Sequence, residues 1–112
     1  MIDKKVWHSG EAGAKKFLKE NGYKILETNF KNKIGEIDII AYKDDVYVFV
    51  EVKARTSLKF GRPSEAVGPF KQNKIRQVAQ SYLISKNNYP TQMRFDVIEV
   101  LNDEITHIKN AF

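Results

Sequence analysis

The sequence of 112 residues contains no cysteine and only two histidines, His8 and His107. The lack of cysteine excludes disulfides, iron–sulfur clusters and zinc sites built from thiolates. With so little imidazole, a site for a soft metal is disfavoured as well. Any bound metal is therefore expected to be a hard cation held by carboxylates, with Mg²⁺ or Mn²⁺ first.

Long apolar runs are also missing. The N-terminal segment MIDKKVWHSG lacks the hydrophobic stretch of a signal peptide, and no segment reaches transmembrane length. The composition, 42% hydrophobic and 29% charged, is ordinary for a globular protein and argues against disorder. The sequence therefore predicts one cytoplasmic domain over residues 1–112, with no membrane partner.

Positive charge is concentrated in one part of the chain. Residues 53–76 contain seven cations and one acid, so this window has a charge of +6. The whole chain has a net charge of +5, so the remaining residues sum to −1. Such a window suits a polyanion such as nucleic acid. A solvated, lysine-rich surface explains it equally well, and charge alone leaves the two alternatives open.

Hydrophobic periodicity and turn residues predict two helices and five strands. The helices are expected over residues 5–21 and from Gly68-Pro69 to Asn87-Asn88; the strands over 23–30, 35–42, 46–54, 93–101 and, more weakly, 104–109. A short helical turn is expected around Ser64 to Val67. The order α-β-β-β-α-β-β indicates an α/β (α+β) domain with one central mixed sheet flanked by helices.

The second and third strands carry charged residues where a core is expected. A two-residue turn at Asp44-Asp45 places Asp38 opposite Glu51 and Glu36 opposite Lys53, whereas a three-residue bulged turn would shift this register. Directly opposed carboxylates repel each other, and a divalent cation bridging them offsets that repulsion. Alternation also places Ile37, Ile39 and Ala41 together on the other face of the second strand.

These charged residues predict a catalytic site better than a solvated surface. Lys53 could hold or deprotonate an attacking water, or stabilise charge on a phosphate. One acid alone would favour a surface position paired with lysines, but Asp38, Glu51 and Lys53 together at strand ends favour a site. Glu36 is interpreted as a structural partner of Lys53.

A further acid lies on the first helix. Trp7, Glu11, Ala14 and Leu18 share one helical face, so Glu11 lies on the stripe expected to face the sheet. The alternative is a helix that begins later, in which Glu11 only complements the helix dipole. These two interpretations stay open on physical grounds. Asp96, within the strand MRFDVIEV, is interpreted as structural.

The arrangement from Asp38 to Lys53 has the form D-x₁₂-E-x-K and resembles the PD-(D/E)xK signature of restriction-endonuclease-like nucleases, with Ile37 in place of the proline. The surrounding sequence, from HSGEAGAKKFL to RFDVIEV, resembles the YraN-like uncharacterised family. That family is similar to archaeal Holliday-junction resolvases. The resemblance implies that Glu11, Asp38 and Glu51 bind Mg²⁺ or Mn²⁺ and that Lys53 is the catalytic lysine.

Together these features predict a metal-dependent nuclease that hydrolyses DNA phosphodiesters, with branched or structured DNA as one candidate substrate. The residues expected to bind nucleic acid are Arg55, Lys59, Arg62, Lys71 and Lys74. A homodimer, as in junction resolvases, is one alternative for its assembly. The rival interpretations are a non-catalytic nucleic-acid-binding module on a nuclease fold and, more weakly, a protein-interaction domain.

Overall fold

The computed structural model describes the backbone of residues 4–55 and 67–112 and the side chains of residues 10–54 and 67–112. In these ranges the chain forms two helices and five strands in the predicted order, which confirms the mixed α+β class. They are α1 (Lys4–Glu20), β1 (Lys24–Lys31), β2 (Glu36–Lys43), β3 (Val46–Arg55), α2 (Pro69–Ser85), β4 (Met93–Leu101) and β5 (Glu104–Ile108). Of the helical turn predicted around Ser64 to Val67, residues 64–66 lie outside the described residues.

The strands form one sheet, in the order β1-β2-β3-β4-β5. Three neighbouring pairs are antiparallel, and β3 and β4 are parallel because α2 carries the chain back across the sheet between them. The mixed sheet is thus antiparallel at both edges and parallel at one central pair. No helix in the described ranges is both long enough and apolar enough to cross a membrane.

The β2–β3 turn sets the register on which the predicted site depends. Asp44 and Asp45 both have positive φ angles, 52° and 66°, as in the two-residue turns whose twist matches that of paired strands. The ladder runs from Lys43 opposite Val46 to Ile39 opposite Val50. This is the predicted register for that part of the hairpin.

The end of α1 and the start of α2 lie where the sequence indicates. Gly22, with φ of 86°, ends α1, and the Tyr23 N–H donates to the Leu18 carbonyl over 2.9 Å. A left-handed glycine with this backward hydrogen bond is a common helix C-terminus. At the start of α2, Gly68 precedes Pro69 in the first turn.

Apolar side chains pack on both faces of the sheet. The cluster between α1 and the sheet contains Ala14, Leu18, Tyr23, Ile39, Ala41, Val48, Val50, Val52, Ala54, Ile98 and Val100. The cluster between α2 and the sheet contains Ile37, Ile40, Phe49, Val67, Ile75, Val78, Ala79, Tyr82, Leu83, Phe95 and Val97. The buried residues of α2 follow the predicted helical spacing, and the valines of β3 share the α1 face as expected.

The face predicted for Ile37 is wrong. Ile37 packs under α2 with Ile40, whereas Ile39 packs under α1. Regular β2–β3 pairing stops at Ile39 opposite Val50, and Asn29, on the neighbouring β1, has a left-handed φ of 51°. Strict alternation is therefore interrupted around Asp38, between the two isoleucines.

A cluster of charged side chains is buried on the α1 face of the sheet. Asp96 is fully buried, and its carboxylate accepts hydrogen bonds from the Arg94 guanidinium (2.9 Å) and the Asn110 N–H (3.1 Å). His107 Nε2 lies 2.7 Å from the same carboxylate, and Arg94 also donates to the Tyr23 hydroxyl over 2.7 Å. These contacts join β4 to β5 and to the end of α1, as expected for a structural acid.

Candidate active site

Asp38, Glu51 and Lys53 line one groove between the sheet and α2. Its volume is about 640 Å³, within the usual range of small-ligand sites. Ile34, Gly35, Glu36 and Val52 of the sheet side and Phe70, Lys71, Lys74 and Ile75 of the α2 side also line it. The structure thus brings three predicted catalytic residues together.

Asp38 is held at the point where the β2–β3 ladder ends. Its Oδ2 accepts a hydrogen bond from the Val52 N–H over 2.8 Å. Val52 lies beyond Ile39–Val50, the last regular pair of the ladder, so the carboxylate binds a backbone N–H that the ladder does not use there. Burial first, and the negative charge of Glu51 second, raise the pKa of Asp38 to about 6. The predicted repulsion between the two acids is therefore present, although burial exceeds it.

Glu51 is almost fully buried and is neutralised by lysines. Its Oε2 lies 2.8 Å from Lys71 Nζ and 3.9 Å from Lys53 Nζ. Lys71 comes from the first turns of α2 and remains about half exposed, so its ammonium reaches the acid from the solvent side. The sequence analysis expected a divalent cation to offset the negative charges of Asp38 and Glu51. In the structure, the Lys71 ammonium lies beside Glu51 and offsets part of that charge.

The two lysines have opposite electrostatic surroundings. Burial lowers the pKa of Lys53, and the neighbouring Lys71 lowers it further, by more than Glu51 and Asp38 restore. Burial also opposes the charge on Lys71, but its hydrogen bond to Glu51 and the charge of that acid leave the pKa of Lys71 raised. Lys53 is therefore the lysine that loses a proton more readily.

Glu11 approaches Asp38 from the opposite side of the sheet. A cavity of about 230 Å³ is lined by Glu11, Lys15, Asn29 and Asp38 among others, and the charge of Glu11 contributes to the raised pKa of Asp38. Because α1 begins at Lys4, Glu11 lies well inside the helix. The alternative in which Glu11 belongs to the first turn is therefore wrong.

Gly10 explains how α1 approaches the sheet beside Glu11. A Cβ atom on Gly10 would lie 2.6 Å from the Ala54 Cβ of β3, closer than two such atoms can pack. Only glycine permits this contact between helix and strand. The close approach places the following residue, Glu11, near the strand ends that carry the site.

The remaining predicted residues are Glu36 and the cations expected to bind nucleic acid. Glu36 is exposed, and no ion pair joins it to Lys53 in the described ranges, so the expected pairing is wrong. Regular pairing of β2 with β3 ends before these residues, which accounts for the difference. Lys59, Arg62 and the side chain of Arg55 lie outside the described residues, whereas Lys71 and Lys74 line the groove.

The predicted three-ligand metal centre is not assembled in the described part of the chain. No group of three or more histidine, aspartate or glutamate side chains there is placed to hold one ion. Asp38 lies between Glu51 and Glu11, which line different cavities. Mg²⁺ commonly uses one or two carboxylates with water and phosphate, so the Asp38–Glu51 pair alone has suitable chemistry.

Comparison with known proteins places this chain in a family. Residues 10–100 match the family model described as uncharacterised protein family UPF0102. The chain belongs to the UPF0102 family. It is 54% identical over 116 residues to a UPF0102 protein of Caldanaerobacter subterraneus subsp. tengcongensis, covering 97% of this chain and 95% of that protein. It is also 50% identical to a UPF0102 protein of Clostridioides difficile over the full length of both chains.

These similarities confirm the YraN-like family resemblance drawn from the sequence. The relatives' names give the UPF0102 family and no activity. The geometry of the groove therefore carries the functional argument for this UPF0102 protein.

Sequence reasoning missed two charged residues at the site of this UPF0102 chain. Lys71 was assigned to nucleic acid, and its pairing with Glu51 depends on how α2 packs, which local patterns do not show. Glu99 lies beside Lys53 in the parallel β3–β4 ladder and is 5% exposed, and its Oε1 has no hydrogen-bond partner within the described residues. Glu99 follows buried Phe95 and Val97 at two-residue spacing, which places all three on one face of β4, and this spacing was the available signal.

The Lys71–Glu51 contact gives a testable prediction for the UPF0102 protein. Since Lys71 would have to leave Glu51 before a cation binds there, Lys71→Ala should tighten Mg²⁺ binding by roughly tenfold, which corresponds to a charged hydrogen bond. Isothermal titration calorimetry without nucleic acid measures this change. Lys74→Ala, which removes an equal charge one turn along α2, is the control and should change affinity much less. Equal or weaker Mg²⁺ binding in Lys71→Ala would contradict the competition.

Proposed function

We propose that this protein is a metal-dependent nuclease that hydrolyses phosphodiester bonds in DNA. The observation that carries the proposal is the convergence of Asp38, Glu51 and Lys53 on one groove. Burial first, and the charge of Glu51 second, raise the pKa of Asp38, so an ionised Asp38 raises the free energy of the metal-free fold. A structural role alone does not require this combination, whereas metal-dependent phosphodiester hydrolysis can use all three side chains.

Asp38 and Glu51 are the residues that would hold the metal. Their oxygens are hard ligands suited to Mg²⁺ or Mn²⁺, and one Asp38 oxygen is already oriented by the Val52 N–H. When bound, the ion supplies charge stabilisation at the phosphate and lowers the pKa of a bound water. Glu11, which lines the cavity on the other side of Asp38, acts on that carboxylate through its negative charge.

In the proposed reaction, Lys53 either accepts a proton from the attacking water or stabilises negative charge on the phosphate. Water attacks phosphorus, the bond from phosphorus to the leaving oxygen breaks, a base takes the proton of the attacking water, and the leaving oxygen takes up a proton from solvent. Burial, and then Lys71, lower the pKa of Lys53, which is the direction that a proton-accepting lysine requires. In its charged form the same side chain stabilises the phosphate oxygens.

The sequence resemblance supports the same proposal. The D-x₁₂-E-x-K pattern places Asp38, Glu51 and Lys53 in the roles that restriction-endonuclease-like nucleases give to these residue types. Similarity to archaeal Holliday-junction resolvases makes branched DNA a candidate substrate and a homodimer a candidate assembly. Cytoplasmic location belongs to the same proposal.

Mutation of Lys53 tests the proposal. Lys53→Ala should reduce cleavage by about 10²–10⁴-fold, the usual contribution of a general acid or base, and leave DNA binding nearly unchanged. Linear, nicked, flapped and four-way DNA are incubated with Mg²⁺, with Mn²⁺ or with excess chelator. Lys24→Ala, an exposed lysine on β1, is the control and should cleave normally. Full activity of Lys53→Ala, or of wild type in chelator, would refute the mechanism.

A second candidate function is a nucleic-acid-binding module without cleavage. The observation in its favour is the 2.8 Å contact of Lys71 Nζ with Glu51 Oε2, which satisfies the acid without any metal. This candidate predicts no cleavage of any of the four substrates, and DNA binding that Mg²⁺ changes only as an equivalent increase in salt does. The same experiment therefore separates the two functions.

A further inference from the structure

The rim of the groove carries an aromatic side chain exposed to solvent. Phe70 lies in the first turn of α2 and is 79% exposed, more than Ile84 (53%) or Tyr89 (44%), the other large apolar side chains exposed in the described ranges. A single exposed apolar side chain is common on protein surfaces, so the position of Phe70 and not its exposure alone connects it to function. Phe70 lines the same groove as Asp38 and Lys53, which connects this surface to the proposed chemistry.

A lysine lies beside the exposed ring. Lys74 Nζ lies over the Phe70 ring, 5.5 Å from its centre, whereas Lys71, the next residue along the helix, contacts Glu51. An exposed aromatic ring next to a cation suits a nucleotide, because the ring can stack on the base and the cation can neutralise a phosphate. Without a metal, the groove acids Glu36, Asp38 and Glu51 would repel a phosphate deeper inside, so the nucleotide that stacks on Phe70 in metal-free protein is expected at the rim.

From this juxtaposition we infer that Phe70 stacks on an unpaired base, so that the groove takes single-stranded or locally unpaired DNA; this inference rests on the proposed nuclease function. A base inside a duplex is stacked on both faces and has none free for Phe70. The base must therefore come from a single strand, a flap, a loop or a base turned out of the helix. The substrate class is set by the ring, and the cleavage chemistry by Asp38, Glu51 and Lys53.

Binding measured without turnover tests the inference. A fluorescently labelled single-stranded oligonucleotide and a blunt duplex of the same sequence are titrated with full-length protein in chelator, and anisotropy is recorded. Phe70→Ala should weaken single-strand binding roughly 5- to 150-fold, the contribution of one stacked base, and change duplex binding little. Phe70→Tyr, which keeps the ring, should bind as wild type.

Ile84→Ala is the matched control, because it removes another exposed apolar side chain from the same helix and should leave both affinities unchanged. Unchanged single-strand binding by Phe70→Ala, or equal loss for single strand and duplex, would overturn the inference. So would a concentration-dependent wild-type dimer that Phe70→Ala abolishes without any effect on DNA, since a second copy would then cover the ring.

The outcomes also separate this inference from the proposed function. Binding that depends on Phe70, together with no cleavage under any metal condition, supports the stacking role and refutes the nuclease. Metal-dependent cleavage with no effect of Phe70→Ala on substrate preference supports the nuclease and overturns the stacking role. Absence of binding to all DNA forms overturns both.

Discussion

Asp96→Ala is expected to lower the free energy of unfolding by about 3–5 kcal/mol, the usual cost of removing one partner from a buried ion pair. The substitution leaves the Arg94 guanidinium, 21% exposed, without its carboxylate, and leaves the buried His107 side chain and the Asn110 N–H without theirs. For a domain of this size the melting temperature should fall by more than about 10 °C. Thermal and urea denaturation followed by circular dichroism measure both quantities.

The Asp96 cluster should also make the fold sensitive to acid. Burial opposes the charge on Asp96, but hydrogen bonds from His107, Arg94 and the Asn110 N–H hold its pKa below 3.8. A lowered carboxyl pKa stabilises the fold above the unfolded-state pKa, and this stability is lost as pH falls through the folded-state pKa. Asp103→Ala, an exposed acid in the next turn, is the control and should change stability by no more than about 0.5 kcal/mol. A melting temperature of Asp96→Ala equal to that of the control would show that the cluster is not structural.

Asp38→Asn should have the opposite effect and stabilise the metal-free protein at neutral pH. The pKa of Asp38 rises from 3.8 to about 6, first through burial and then through Glu51, so the ionised form costs about 3 kcal/mol in the fold. This cost is absent below pH 3.8, develops as pH rises toward 6 and is complete above it. Asparagine removes the charge and can still accept the Val52 hydrogen bond. The stability difference should therefore be large at pH 7.5 and nearly vanish at pH 3.8.

Mg²⁺ supplies the second arm of this experiment. Excess Mg²⁺ should raise the melting temperature of wild type and do much less for Asp38→Asn, because a cation that binds the native state stabilises it. Glu36→Gln, an exposed acid two residues away on the same strand, is the matched control and should respond to Mg²⁺ as wild type does. A metal-free Asp38→Asn that melts below wild type, with no Mg²⁺ effect on wild type, would remove the metal site from the proposal.

Much of the fold could be predicted because local signals are strong here. The turn at Asp44-Asp45 fixed the β2–β3 register, Gly22 marked the end of α1, and Pro69 marked the start of α2. Each of these residues acts through its own backbone conformation, which the sequence alone reveals. The grouping of Asp38, Glu51 and Lys53 followed from that register.

The remaining differences come from interactions between distant parts of the chain. The Lys71–Glu51 contact depends on how α2 packs against β3, and Glu99 reaches the site only through the parallel β3–β4 ladder. Ile37 changes face because pairing stops near Asp38, where the carboxylate binds a backbone N–H in place of a regular ladder bond. Sequence periodicity assumes regular strands, so it fails where a side chain replaces the ladder.

The strand order has a consequence for folding kinetics. Strands that are consecutive in the chain are neighbours in the sheet, so three of the four ladders close through short turns. The parallel ladder, from Tyr47 opposite Met93 to Arg55 opposite Leu101, must instead close a long loop that contains α2, and loop closure of this kind slows folding. The hairpin that carries Asp38 and Glu51 can therefore form while α2 is still undocked. We therefore expect the two acids to come together before Lys71, which contacts Glu51, docks with α2.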